Sequence, residues 1–254
     1  MKKSIIALLA LAGMAVADIT LLDIDFTKLT GNTNENTPAG WTAGQWNGTG
    51  NTPYYNFGTN GATVGQPWKQ NYLTTELDID SMAEYTIDLT LFNSGEDTGN
   101  MFFLSSDTYS VVIGNSYTSN SEIYVGTLTE AVGRDYVCFQ TGTKINPTVL
   151  ANSTELNVSG DIAYTLTMKD GNMTIAATIG ENTWSTTITG MEDVTFTKIG
   201  FMNDGAPGTS GVKGITITAP ETPAVPETPA VPEPTTATLS LLALAGLAAR
   251  RRRK

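Results

Sequence analysis

The sequence predicts an all-β protein, an antiparallel β-sandwich, and three observations carry that prediction. Between residues 18 and 219 apolar positions alternate with polar ones over short spans, Gly and Asn turns separate those spans, and no apolar pattern of helical period and useful length interrupts them. In YTIDLTLFN, Ile87, Leu89 and Leu91 fall on one side of an extended chain while Thr86, Asp88 and Thr90 fall on the other. The same period runs through Leu22, Ile24 and Phe26, through Ile123 and Val125, and through Ile215 and Ile217. In AYTLTMKDGNMTIAATIG, Tyr164, Leu166 and Met168 alternate up to Asp170-Gly171, and Met173, Ile175 and Ala177 alternate away. Asp-Gly supplies the positive φ of a tight turn, so this stretch reads as a hairpin. Further strands are expected at TWSTTITG and at VTFTKIGFM, where the alternation changes phase near Lys198 and points to a bulge or to burial on both faces.

The two ends of the chain have other compositions. Residues 1-17 combine Lys2 and Lys3, an apolar stretch from Ile5 to about Ala12 and the small-residue site Ala15-Val16-Ala17, which together read as a secretory signal peptide removed by signal peptidase. Residues 18-219 then form the sandwich domain. Residues 220-235 hold six of the chain's 11 prolines and the repeated ETPAVP. Proline at that density fixes φ and removes donors, which predicts an extended, disordered stalk of roughly 45 Å, at about 3.1 Å per residue. Residues 236-249 form a short apolar helix of about 20 Å, against a hydrocarbon core of about 30 Å, so the segment is short for a permanent transmembrane span. Residues 250-254 are a basic tail, Arg250, Arg251, Arg252, Arg253 and Lys254, which holds the C-terminus on the cytoplasmic side.

Charge and side-chain chemistry exclude several functions. The domain carries 22 of the chain's 25 acidic residues and only seven of its 14 basic ones, roughly fifteen net negative charges, a surface that repels nucleic acid. Histidine is absent, which removes imidazole-based nucleophile arrangements and most zinc sites. The single Cys138 in YVCFQ cannot form an internal disulfide and reads as a small buried hydrophobe. An enzyme built on this chain would have to run on carboxylates.

Val231-Pro232-Glu233-Pro234, followed by a short apolar helix and terminal arginines, resembles a PEP-CTERM sorting signal. The resemblance implies that an exosortase-type membrane protease recognises Pro232, Glu233 and Pro234 and cuts near them. It further implies transient residence in the inner membrane and then a place at the cell surface, in the outer envelope or in the extracellular matrix. The body has its own, looser likeness. ITLLDIDF, a glycine-rich aromatic region, LTTELDID with EYTIDLTLFN, then MFFLSS, the DG hairpin and a final GVKGITIT resemble in order the concanavalin A-like, laminin G-like jelly-roll domains. That resemblance implies glycan binding, often with Ca2+, and in some members glycan hydrolysis.

Candidate sites follow from these readings. Glu76-Leu77-Asp78-Ile79-Asp80 is similar to the E-x-D-x-E strand motif of laminarinase-type glucanases, although Asp80 is one methylene shorter than the glutamate that motif implies as acid/base. Alternation places Glu76, Asp78 and Asp80 on one face of a strand; with Leu77 and Ile79 inward, they read equally as acids in water. Three tryptophans and several other aromatics crowd residues 40-72 among Gly, Asn and Thr, a mixture suited to stacking sugar rings and to pinning a loop. Trp41, Trp46, Tyr54, Tyr55 and Trp68 are the candidate ligand-binding residues, Trp46 and Tyr54 the more exposed because of their polar neighbours. Asn203-Asp204-Gly205 and Asp170-Gly171-Asn172 offer oxygen ligands for Ca2+ but equally read as turns, and no metal residue is assigned. The expectation is thus an exported, envelope-attached, non-catalytic sandwich that binds a polysaccharide or belongs to an exopolysaccharide matrix, with a secreted glycosidase and a purely structural coat as alternatives.

Overall fold

The computed structural model describes residues 17–45, 54–65, 70–94, 99–116, 119–132, 148–151 and 160–221. The signal segment, Trp46, Trp68, Cys138, the sorting motif and the basic tail lie outside them. Ala17–Pro220 forms one compact unit. Its strands in chain order are β1 (Asp18–Asp25), β2 (Gly31–Asn32), β3 (Trp41–Gln45), β4 (Tyr55–Gly58), β5 (Gly61–Val64), β6 (Asn71–Asp80), β7 (Tyr85–Asn93) and β8 (Gly99–Ser105). They continue as β9 (Ser110–Ser116), β10 (Ser119–Leu128), β11 (Thr148–Ala151), β12 (Gly160–Lys169), β13 (Asn172–Ile179), β14 (Asn182–Ile188), β15 (Thr195–Asp204) and β16 (Ser210–Pro220). All pairings are antiparallel, and they build a nine-stranded sheet in the order β14-β13-β12-β7-β16-β5-β4-β2, with β1 also on β16, and a seven-stranded sheet in the order β11-β10-β9-β8-β15-β6-β3.

The inner faces of the two sheets share one core. Ile87, Leu89 and Leu91 of β7, Tyr164 and Leu166 of β12, and Ile215 and Ile217 of β16 meet Leu73, Phe102, Ile113, Ile123, Ile199 and Phe201. Each such side chain, fully buried, contributes about 1.5–3 kcal/mol of transfer free energy. Phe26 sits at the aromatic centre, edge-on to Trp41 at 5.4 Å and to Phe201 at 6.2 Å. The expected strand through Phe26 ends one residue earlier. The Asp25 carboxylate accepts from the Thr27 backbone N–H at 3.0 Å and starts a short 3-10 turn, Phe26–Lys28, that turns the ring into the core.

The hairpin and the bulge both form where alternation placed them. Asp170 and Gly171, at φ 50° and 70°, join β12 to β13 in unbroken register. The β15–β6 register slips between Phe196 and Lys198, which lets Phe196 and Ile199 both point inward. At one end of the sandwich the core turns polar. Gln45, Asn71, Asn203, Asn100 and Asn115 stand opposite one another across β3, β6, β15, β8 and β9. From the other sheet the Tyr55 hydroxyl donates to Asn203 Oδ1 at 2.7 Å, and Asn100 Nδ2 donates to the carbonyls of Phe92 and Gly211.

The solvent face of the nine-stranded sheet is equally ordered. Thr187, Thr174, Thr167, Thr86, Thr218 and Thr20 form one row across six strands. Ser185, Ala176, Thr165, Asp88, Thr216 and Asp23 form the next, and lateral bonds such as Thr165 Oγ1 to Asp88 at 2.6 Å tie neighbours together.

Candidate functional site

A groove of about 830 Å³ lies on the outer face of the seven-stranded sheet. Its floor follows from the two-residue period of β6: Leu73 and Ile79 turn into the core, so Tyr72, Thr74 and Glu76 face outward. Thr42 and Gly44 of β3 stand opposite Thr74 and Tyr72, while Lys198 and Gly200 of β15 stand opposite Glu76 and Thr74 on the other side. The edge of Trp41, Phe103 and Val132 complete the lining.

Two glycines shape that floor. A Cβ on Gly44 would sit 2.3 Å from both Cζ and the hydroxyl oxygen of Tyr72, so the Tyr72 ring lies across β3. A Cβ on Gly200 would come within 2.6 Å of the Phe103 ring and the Thr74 methyl, so Phe103 leans across β15 in the same manner. The wall is a strap after β10. Val132 N–H donates to Ser105 Oγ at 3.0 Å, Ser110 Oγ donates to the Glu130 carbonyl at 2.8 Å, and the two serine hydroxyls are themselves 2.8 Å apart. Beneath it Met101, Phe103, Val112, Leu128 and Met202 form a second apolar cluster. Among the described residues the result is a half-buried phenol ring with threonine hydroxyls, the exposed Glu76 carboxylate and the exposed Lys198 ammonium along a single channel.

The expected site residues divide. Glu76, Asp78 and Asp80 do share the exposed face of β6, but only Glu76 lines the groove. Asp80 Oδ1 accepts from the Met82 backbone N–H at 2.9 Å and caps the turn into β7. Trp41 is 8% exposed and stacks on Phe201, so it offers the groove an edge rather than a face. Tyr55 is fully buried, with its hydroxyl oxygen also 3.1 Å from the Asn71 carbonyl, and serves the core. Tyr54 is half-buried against the core margin. Trp46 and Trp68 lie outside the described residues. Of the turn triplets, Asn203 is turned inward and bonded to Tyr55 and Asn100, and Asn172 Nδ2 donates to the Asp170 carbonyl, closing the hairpin. Among the described residues no group of three or more Cys, Asp or Glu side chains is placed to hold a metal ion.

A shallower depression of about 430 Å³ lies on the threonine face, lined by Asp23, Asp25, Lys28, Asp88, Thr165 and Thr216 among others. The Thr27 hydroxyl, and then Lys28 at 3.0 Å, hold the Asp25 carboxyl below its ordinary range. Among the described residues its one aromatic lining residue is Tyr164, which is buried in the core.

Two antiparallel sheets packed face to face, with a groove on the outside of the seven-stranded one, define a concanavalin A-like jelly-roll sandwich. Solved structures agree on the fold. The CBM2 module of Lactobacillus casei BL23 phage J-1 evolved Dit is 9% identical at TM-score 0.54, covering 82% of this chain and 99% of that one. The VIP36 exoplasmic/lumenal domain in its Ca2+-bound form is 10% identical at TM-score 0.53, over 80% of this chain and 91% of that one. The apo Crh5 transglycosylase is 15% identical at TM-score 0.50, over 84% and 88%. Comparison with curated proteins gives no match. Residues 230–254 match the PEP-CTERM protein-sorting motif, as Pro232-Glu233-Pro234 and the terminal arginines led us to expect. That motif implies processing by an exosortase and marks the chain for export and for attachment at the cell surface or envelope.

Proposed function

We propose that the exported body is a non-catalytic glycan-binding module that holds a surface or matrix polysaccharide in the groove over Tyr72. The observation that carries this reading is the Tyr72 ring laid across Gly44 in a channel of threonine hydroxyls. A pyranose presents a flat C–H face that stacks on such a ring, and its hydroxyls find partners in Thr42, Thr74, Glu76 and Lys198. The fold supports it by analogy, since one of the VIP36 domain structures it resembles is a Ca2+/Man2-bound form. Among the described residues Glu76 is the one carboxylate in the groove lining, which favours binding over hydrolysis, because retaining and inverting glycosidases of the usual kind pair two carboxyls.

The test is affinity electrophoresis of residues 18–219 through gels holding different polysaccharides. Retardation by at least one neutral glycan is expected, with Tyr72→Ala weakening it about tenfold, equivalent to about 1.4 kcal/mol. Trp46→Ala and Tyr54→Ala measure whether these two aromatics, expected from the sequence, contribute to retardation. Sugar release that disappears in Glu76→Gln would make the groove a catalytic one. Unretarded migration in every gel would leave a structural coat.

A further inference from the structure

The groove leaves the edges of the two sheets unused, and these edges are unequal. An edge strand presents unpaired backbone N–H and C=O groups that template pairing with another chain, and proteins blunt it by shortness, bulges, charges or proline. Among the described residues five strands stand at sheet edges, and four of them are short, irregular or charged. β2 has two residues; β3 has five and borders the groove; β11 has four and slips register against β10 between Ile123 and Tyr124. β1 is broken by a register shift between Thr20 and Leu22 and carries Asp18, Asp23 and Asp25.

β14 has none of these devices in its own sequence, and β11 of the other sheet comes near it without pairing with it. β14 runs seven residues, NTWSTTI, in unbroken register with β13, without a charge, a glycine or a proline. Among the described residues β13 is its one strand partner. Its outward side chains Thr183, Ser185 and Thr187 are exposed, and on the inner side Trp184 and Ile188 are only half-covered at the core margin. We propose that β14 is the seam along which a second copy of this chain pairs, strand to strand, to continue the nine-stranded sheet into its partner.

The occupant follows from the strand's own symmetry. A two-fold axis through Ser185 sets Thr183 opposite Thr187 of the copy, Ser185 opposite its counterpart and Trp184 opposite Thr186, with every outward residue kept on the outward face. Threonine–threonine pairs across antiparallel strands are favourable, and no like charges meet. The same operation at β1 would bring aspartates together. The proline-rich stalk is a poor substitute, since a proline at every third position or closer interrupts the row of donors a ladder needs. Pairing also draws the half-exposed Trp184 into the seam, where aromatic anchors carry most of an interface's energy. The body's net negative charge opposes association at long range, so salt should favour it.

Sedimentation equilibrium on residues 18–220, the unit that contains both sheets and the whole described core, tests this. The expected result is a concentration-dependent dimer, tighter at high salt. Ser185→Lys sets two ammonium groups face to face on the axis and should weaken the dimer at least about tenfold. Thr183→Lys should weaken it too, and adding Thr187→Glu to the same chain should restore it, because each lysine then faces a glutamate across the axis. Circular dichroism on each variant confirms the sandwich is intact. A wild-type chain that stays monomeric at all concentrations and salts, or a dimer indifferent to all three variants, overturns the proposal.

Discussion

Tyr164 stands on β12 with its ring in the core and its hydroxyl buried, with no hydrogen-bond partner among the described residues. A buried, unmet hydroxyl costs about 1–3 kcal/mol, so Tyr164→Phe should raise stability by about 1 kcal/mol in urea titrations. Burial also pushes the Tyr164 phenol well above its ordinary value of 10.0. Because the unfolded chain gives up that proton first, this residue's contribution is intact below about pH 10 and is lost as the pH climbs further. Tyr164→Phe should flatten that part of the alkaline profile. Asn203 is the opposite case: it accepts from Tyr55 and donates to Asn100 while fully buried, and Asn203→Ala should cost about 2–3 kcal/mol by the same measurement. Neither residue's role was legible in the sequence. Asparagine reads as turn chemistry, and five amides from five distant strands become a ladder only when register aligns them. The aromatics failed similarly. Tyr55 and Tyr72 look equivalent on the page, and only the face of the strand each occupies separates a core residue from a groove floor. A signal for Tyr72 did exist in the Tyr72, Thr74, Glu76 alternation, but the glycine beneath its ring lies 28 positions away.

The β12–β13 hairpin shows how much an element can be specified locally. Tyr164 to Ala177 gave the strands by alternation and Asp170-Gly171 gave the turn, because each depends only on neighbours in sequence. One constraint on it is nonlocal. Gly171, at φ +70°, would meet the Glu192 backbone at 3.0 Å through any Cβ, and its carbonyl accepts from Met191 N–H at 3.0 Å. Gly171→Ala should therefore destabilise by about 1–2 kcal/mol, strain and contact together, read as a fall in the thermal midpoint. β8 was harder to read for a different reason. MFFLS is apolar on both faces because the Glu130–Val132 strap and the second apolar cluster cover its outer side, which hides the two-residue period. The groove depends on that strap. Lifting the Tyr72 ring from below gives a cleaner test of the floor: Gly44→Ala should reduce glycan retardation severalfold, whereas Tyr72→Phe, which keeps the ring, should retain most of it.

At the scale of the molecule, the sandwich class was legible because short alternating strands and glycine turns are additive signals. The pairing of sixteen strands into two sheets was not, since strand order depends on long-range registers no local pattern records. The sorting motif was legible because its three parts must be contiguous. Protein recovered from its native host should weigh less than the full chain, having lost the segment after about residue 234; an intact mass that still includes Lys254 contradicts processing. The body's last strand then acquires mechanical meaning. The chain leaves the sandwich at Pro220, at the end of β16, which is paired along its length with β7 on one side and with β1 on the other. Tension transmitted through that exit pulls β16 along its own axis, while its hydrogen bonds run perpendicular to it and share the load. They must shear together rather than open one at a time, so a body tethered by this strand resists drag far better than one tethered by an edge hairpin.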